Sequence, residues 1–338
     1  MTRVPAWPRV YGGPFACGRV KAHPQDFAVE EVLSFEPSGE GEHVFLLVEK
    51  QELNTEQVAQ ALARFAGVPR HRIGYAGLKD RQAVARQWFS VHVAGRELPW
   101  TECRGGKFRV LRFSRNRRKL RRGALRGNRF RVRVREVQGE REGLARVLTA
   151  IASQGLANYF GPQRFGHAGA NLVRAEAWFR RGERVARHLR GLYLSAARSF
   201  LFNQVLAVRI ERGDWNKPIP GDWLMFDGSG AGFLAATVEA ELKARVEALE
   251  LHPSGPLWGK REEGKSTAGL AALLERQVAE AHPEFAQALE AKAEEMRRPL
   301  RVRVEELTWG FEKGDLFLEF FLPKGAYATS LVRELVEI

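Results

Sequence analysis

Hydrophobic and polar positions alternate most cleanly in Arg129-Phe130-Arg131-Val132-Arg133-Val134-Arg135. A strand with this period puts its apolar side chains on one face and every arginine on the other. Residues 107–113 partly repeat the pattern, and residues 114–128 between them read as an arginine-rich loop. Two earlier runs, 27–35 and 43–48, are β-prone and joined by the turn Pro37-Ser38-Gly39-Glu40-Gly41. Asn54 predicts an N-cap for a helix reaching about Phe65, with Gln57 at the third helical position completing a capping box. Gly67 and Pro69 stop that helix. A further strand is predicted over 87–93.

From about residue 141 the period lengthens to that of helices, at 141–154, 171–180, 196–212, 238–249 and 267–296. Residues 218–222 and 225–227 read as a small irregular β region among them. Alternation then returns at 302–307 and 316–322, a hairpin around Glu312-Lys313-Gly314-Asp315, before a final helix over 329–336. A strand-rich start, a helix-rich middle and a strand-rich end predict one α+β domain, 1–155 with 300–338, interrupted by a second over 156–299. No internal repeat is visible.

At 338 residues, with 44% hydrophobic and 28% charged residues, the chain has the make-up of a soluble protein with a sizeable core. No apolar run has the length of a membrane span. The opening Met1-Thr2-Arg3-Val4-Pro5-Ala6-Trp7-Pro8 lacks the apolar stretch of a signal peptide. Cys17 and Cys103 are the only cysteines and neither has a near neighbour, which excludes a disulfide framework or zinc ribbon. The cytoplasm is the expected compartment.

The net charge of +14 is local. Residues 104–135 hold 15 Lys or Arg and no acid, so the rest of the chain carries one net negative charge. Average composition would put about five cations and four acids in that window. The imbalance points to phosphate binding, with Arg117, Arg118, Arg121 and Arg122 as candidates. The eight His are scattered, and no metal site is expected. Neither a dinucleotide fingerprint nor the usual methyl-donor loop follows a strand. Gly259-Lys260-Arg261-Glu262-Glu263-Gly264-Lys265-Ser266 has the letters of a phosphate-binding P-loop. It follows Pro253-Ser254-Gly255-Pro256-Leu257-Trp258 rather than a buried apolar strand, and its two glutamates would face the phosphates, so no nucleotide cofactor is expected.

Against this cationic background Asp80 stands out. It is the only acid between Glu56 and Glu97, flanked by Lys79 and Arg81. Nearby positive charge keeps such a carboxylate ionised. Holding a polyanion has no use for it, whereas chemistry on a polyanion can use it as nucleophile or base. A turn aspartate paired with Lys79 or Arg81 is the plainer alternative.

Ala76-Gly77-Leu78-Lys79-Asp80-Arg81, with Ala83-Val84 and Gln87, resembles the catalytic signature of the TruD family of tRNA pseudouridine synthases. Further similar blocks follow in order. They are Asp26-Phe27-Ala28-Val29-Glu30-Glu31, Gly39-Glu40-Gly41-Glu42-His43, Gly127-Asn128-Arg129-Phe130, and Asn158 through Gly166. Ala197 through Asn203, His252 through Gly259 and Leu322 through Thr329 complete the set. The resemblance implies a pseudouridine synthase domain with a mixed, mainly antiparallel sheet flanked by helices, interrupted by a helix-rich α+β insertion. It implies isomerisation of a uridine in tRNA, uridine 13 of the D arm, without a cofactor. It further implies Asp80 as the catalytic carboxylate with Lys21 paired to it, Phe27 and Tyr327 stacking on the base, and Asn128 hydrogen-bonding it. Tyr327 departs from the Phe expected there. Lys79, Arg81 and Gln87 are expected on the substrate side of the same motif, and the protein is expected to act as a monomer. In Asn158 through Gly166, the aromatics Tyr159, Phe160 and Phe165 fit either a core or a stacking surface beside RNA, with Gln163 and Arg164 on its backbone. A non-catalytic RNA-binding assembly factor and a different RNA-modifying enzyme are the alternative functions. Intact Asp80, Phe27 and Asn128 argue against the first, and the missing donor loop against the second.

Overall fold

A computed structural model describes residues 3–261, 264 and 266–337. Glu262, Glu263 and Lys265 of the P-loop-like stretch lie outside the described residues. The chain divides into two compact units. One is strand-rich, 16–140 with 305–325 and 337–338; the other is helix-rich, 1–15 with 141–304 and 326–336. The cuts differ from the expected 155/156 and 299/300, because the helix over 141–154 and residues 326–336 group with the helix-rich unit. The class is α+β.

The strand-rich unit is built on β1 (Ala16–Val20), β2 (Phe27–Leu33), β3 (His43–Lys50), β4 (Ile73–Tyr75), β5 (Val84–His92), β6 (Phe108–Asn116), β7 (Leu125–Gly139), β8 (Glu305–Glu312) and β9 (Asp315–Pro323). The principal order is β8-β9-β7-β2-β5-β3-β6, with β1 against β7 and β4 against β5. Along that order, neighbours run antiparallel except β2 beside β5. The late hairpin therefore returns to the first sheet, as its alternation predicts. Lys313 and Gly314 form its turn, at φ 51° and 86°, the left-handed pair that suits a two-residue hairpin.

Helix α1 (Thr55–Ala66) begins as its capping box predicts. The Asn54 side chain accepts from the Gln57 amide at 2.8 Å, and Gln57 Oε1 accepts from the Asn54 amide at 2.9 Å. Gly67 ends the helix at φ 59°. Its apolar stripe, Val58, Ala59, Leu62, Ala63 and Ala66, packs with Val44, Leu46, Val48, Phe89 and Val91 of β3 and β5.

β7 is about twice as long as the seven-residue alternation. The basic loop shrinks to 117–124, because β6 runs on to Asn116 and β7 starts at Leu125. Pairing with β2 and β9 extends the strand through Gly127 and Asn128. A Cβ on Gly127 would sit 2.2 Å from the Leu322 carbonyl oxygen and 2.4 Å from the Phe321 ring, so this close approach needs glycine.

The helix-rich unit contains α2 (Arg141–Gln154), α3 (Ala170–Arg181), α4 (Arg187–Glu211), α5 (Ala240–Glu247), α6 (Gly269–Ala281), α7 (Pro283–Lys292) and α8 (Ala328–Leu335). The single helix expected over 267–296 is two. His282 leaves helical geometry at φ −137°, and Pro283, which has no N–H to donate, opens the second helix. Residues 251–257, which carry two prolines, do not read as a strand in the sequence. They form the centre of a four-stranded sheet, Gly232–Ala235, Asp222–Phe226, Leu251–Leu257, Met296–Pro299. Pro253 still serves as an acceptor there: the Leu300 amide donates to its carbonyl at 2.8 Å. A hydrophobic core of this unit joins Leu172 of α3, Phe200 and Leu201 of α4, Val278 of α6, Phe285 of α7 and the aromatics of 159–165.

Candidate active site

Asp80 lies in the loop from β4 to β5, and the surrounding elements fix that loop from three sides. The first is the start of α1, where the capping box holds Thr55 in place. The Thr55 hydroxyl accepts from the Lys79 amide at 3.0 Å and donates to Gln87 Oε1 at 3.0 Å. Gln87 Nε2 in turn donates to the Gly77 carbonyl at 2.7 Å. Gln87, expected on the substrate side, is wholly buried beneath the loop and holds it from below.

The second side is β2. Period two puts Phe27, Val29 and Glu31 on its buried face. Glu31 fills an inward position with a carboxylate, and burial pushes its pKa up while Lys79 opposes the shift. Glu31 Oε2 accepts from the Trp88 amide at 2.9 Å, in the gap along β5 between β2 and β4. Glu31 Oε1 lies 2.7 Å from Lys79 Nζ, which also donates to Asn128 Oδ1 at 2.9 Å. Lys79 therefore points inward, to the strands.

The third side is β3. Lys50, its last residue, is 1% exposed and follows Val44, Leu46 and Val48 on the face that packs against α1. Its ammonium donates to the Leu53 carbonyl at 2.7 Å and to the Asp80 carbonyl at 2.9 Å. Burial pushes its pKa down to about 8, with Asp80 opposing the shift.

Held this way, the Asp80 side chain is three-quarters buried. Oδ2 accepts from Lys21 Nζ at 2.6 Å, and Oδ1 accepts from the Gln82 amide at 3.0 Å. Lys21 is placed by a left-handed backbone, φ 56°, that costs a non-glycine residue roughly 1 kcal/mol or more. Its ammonium lies 4.4 Å from the centroid of the Phe27 ring, which packs edge-on to Phe130 at 6.0 Å. Asp80, Lys21 and Phe27 are thus together. Arg81 donates to the Glu52 carbonyl at 3.1 Å. Asp26, beside Phe27, is a structural anchor. Burial raises its pKa, but bonds from Arg135 at 2.8 and 3.0 Å and from the His23 amide outweigh that and hold it below the usual range.

The basic block divides in two. On the strands much of its charge is paired: Arg109 with Glu49, Arg126 with Glu305, Arg129 with Glu306, Arg133 with Asp315 and Arg135 with Asp26. On the 117–124 loop, Arg117 pairs with Glu40. Arg118, Arg121 and Arg122 are exposed and have no carboxylate partner among the described residues. Arg122 lies 5.7 Å from the Tyr75 ring. Buried Leu120, whose amide donates to Ser90 Oγ at 3.0 Å, pins this loop. The Gly123 amide donates to the Ala76 carbonyl at 2.8 Å and joins it to the loop that carries Asp80.

Tyr327 belongs to the helix-rich unit. Its hydroxyl accepts from Arg164 at 2.6 Å, and its ring packs edge-on to Phe160 at 6.0 Å. Tyr159, Phe160 and Phe165 are all buried in that unit's core, so the stacking reading of this segment is not met by its aromatics. Sequence reasoning missed Glu31, Lys50 and Thr55. For the first two a signal existed: each is a charge on the apolar face of an otherwise regular strand.

A cleft of about 450 Å³ is lined by Lys50, Glu52, Val84, Arg104, Lys107 and Arg109 among others; Asp80 does not line it. Among the described residues no group of three or more His, Cys, Asp or Glu could hold a metal ion. No described helix is long and apolar enough to cross a membrane.

A carboxylate clamped to an ammonium lies beside an aromatic ring, and in the same unit Arg118, Arg121 and Arg122 have no carboxylate partner among the described residues. The chain belongs to the tRNA pseudouridine synthase D (TruD) family, which it matches over residues 10–177 and 170–335. It is an isomerase of that kind. It is 48% identical to tRNA pseudouridine synthase D of Methylococcus capsulatus over 98% of this chain and 94% of that one. It is 46% identical to that of Nitrosococcus oceani over 96% and 93%. The crystal structure of a putative tRNA pseudouridine synthase D from Methanosarcina mazei shares the fold, with TM-score 0.71 and 20% identity over 100% and 96% of the two chains.

Proposed function

We propose that the protein converts uridine 13 in the D arm of tRNA to pseudouridine, with Asp80 as the catalytic carboxylate. The observation that carries this reading is the Asp80–Lys21 contact at 2.6 Å beside Phe27. A uridine in folded RNA is extruded before it reacts. Its N-glycosidic bond is broken, the base is rotated, and the bond is remade through C5. Asp80 serves as nucleophile or base, and Lys21 holds its carboxylate charged and aimed. Phe27 stacks on the base, Asn128 hydrogen-bonds it, and Arg118, Arg121 and Arg122 take phosphates of the RNA backbone. The enzyme acts as a monomer in the cytoplasm, and residues 156–299 are an insertion in the catalytic domain.

The test is incubation of the purified protein with transcribed tRNA, in chelator and without any added cofactor, followed by mapping of pseudouridine. Conversion confined to position 13, and absent when that position is cytidine, is the expected result. Conversion at another position would overturn the site assignment, and none at all the cofactor-free reaction.

A further inference from the structure

We propose that Glu31 and Lys79 are a positioning pair that sets base specificity, by locking the Asn128 amide so that it can only donate to the target base. The inference rests on the reading that Asn128 addresses the base.

Lysine carries three donors and no acceptor. The Asn128 atom 2.9 Å from Lys79 Nζ is therefore its carbonyl oxygen, and the orientation of the amide follows from chemistry. Lys79 cannot swing away, because its ammonium also sits 2.7 Å from Glu31, whose side chain is wholly buried. Separating the two would leave a buried charge without its partner, which is strongly unfavourable. Glu31 is itself fixed by the Trp88 amide at 2.9 Å. Asn128 lies on β7 between β2 and β9, opposite Glu31 and Leu322. Its NH2 group makes no hydrogen bond among the described residues, and the residue is half-buried.

The pair thus removes half of what an asparagine can do. A free amide could turn over and accept from an amino group as readily as it donates to a carbonyl. A locked one presents only N–H. Uracil offers carbonyl oxygens to such a donor. Cytosine replaces one of them with an amino group, which would face the Asn128 NH2 donor to donor. One such mismatch is worth roughly ten-fold or more in discrimination.

The experiment compares two tRNAs differing only in uridine or cytidine at the target position. The inhibition constant of the cytidine form is set against the half-saturating concentration of the uridine form in single-turnover conversion. The wild type should show a ratio of about ten or more. In a Glu31→Leu/Lys79→Met double variant, which removes both charges and keeps their volume, the ratio should fall toward one. Asn128→Asp, which stays paired to Lys79 but has no donor, should lose the preference too, and serves if the double variant does not fold. A wild type that binds both tRNAs alike, or variants that keep the wild-type ratio, would overturn the positioning pair. Asn128→Ala separates the two levels. Unchanged conversion in that variant would mean that Asn128 does not address the base. Impaired conversion together with an unchanged ratio in the double variant would remove only the role of Glu31 and Lys79.

Discussion

The loop around Asp80 and the segment 158–166 both carry polar and charged residues, yet their hydrogen bonds end differently. In 158–166 most polar groups close on one another, although Tyr159 Oη and Arg164 Nε are buried without a hydrogen-bond partner among the described residues. The Phe160 amide donates to Asn203 Oδ1 at 2.9 Å, the Asn203 amide returns to the Phe160 carbonyl at 3.0 Å, and Arg164 donates to Ser195 and Tyr327. Tyr159, Phe160 and Phe165 fill the core between these bonds. In the Asp80 loop the fixed groups lie underneath, and the chain of bonds ends in groups that still have capacity. Lys50, Thr55 and Gln87 grip its backbone, whereas the Asp80 carboxylate is partly open to solvent. A motif can be specific because a core needs it or because chemistry needs it. Where its last hydrogen bonds go decides which.

The comparison breaks most easily at Asp80. Asp80→Asn keeps the shape and removes the charge, so single-turnover conversion should fall by several orders of magnitude. The pair with Lys21 is largely buried, so removing its negative charge should also lower unfolding free energy by roughly 1–3 kcal/mol, and the rate is therefore compared per folded molecule. Near-normal conversion would mean that Asp80 is not the catalytic carboxylate. The opposite signature belongs to Phe165→Ala. It should lower unfolding free energy by roughly 3–5 kcal/mol in denaturant titration. Its effect on the rate per folded molecule should be small, and a stable but inactive variant would return that segment to the site.

The basic loop sharpens the contrast between charges that are used internally and charges that are not. Replacing Arg118, Arg121 and Arg122 with Gln should weaken tRNA binding and flatten its salt dependence, by up to about 0.9 slope units per lost phosphate contact. Arg117→Gln alone, which loses a residue paired with Glu40, should change the slope less. Equal slopes in wild type and triple variant would place RNA elsewhere.

The smallest effect is expected from pH. Lys50 has a folded pKa of about 8, below its ordinary value. Its charge is present below that pH and lost above it, so its hold on the Asp80 carbonyl weakens as pH rises through 8. Conversion at saturating tRNA should decline on that alkaline side by a few-fold, and Lys50→Met should abolish the decline. Stability has the opposite sign. The folded state sheds this proton more easily than the unfolded one, so Lys50 destabilises below pH 8 and that cost is relieved between 8 and its unfolded pKa. A rate profile that is identical in Lys50→Met would detach Lys50 from the loop's function.

Local chemistry made much of the fold legible. The capping box at Asn54 and Gln57, the alternation of β7 and the return of strands at the C-terminal end all express short-range rules that tertiary contacts reinforced. Local rules failed where long-range pairing supplied what the segment lacked. Gly127 and Asn128 read as loop but are held in a strand by ladders on both sides, and Leu251–Leu257 forms a strand despite two prolines because neighbours accept its shape. The break at Pro283 was visible in the sequence and lost to the apolar period around it.

By itself the sequence determined the family, the lone carboxylate among cations and the block of positive charge, because residue identity and order carry these without coordinates. Tertiary structure alone decided how that charge is divided. Pairing across strands matches Arg126, Arg129, Arg133 and Arg135 to acids far away in the chain and leaves Arg118, Arg121 and Arg122 without a carboxylate partner among the described residues. It also decided that Gln87 and Lys79 face inward and that Lys50 reaches Asp80. A charge on the inner face of a strand is visible in the sequence, but its partner is chosen by the fold, since ion pairing depends on distance in space.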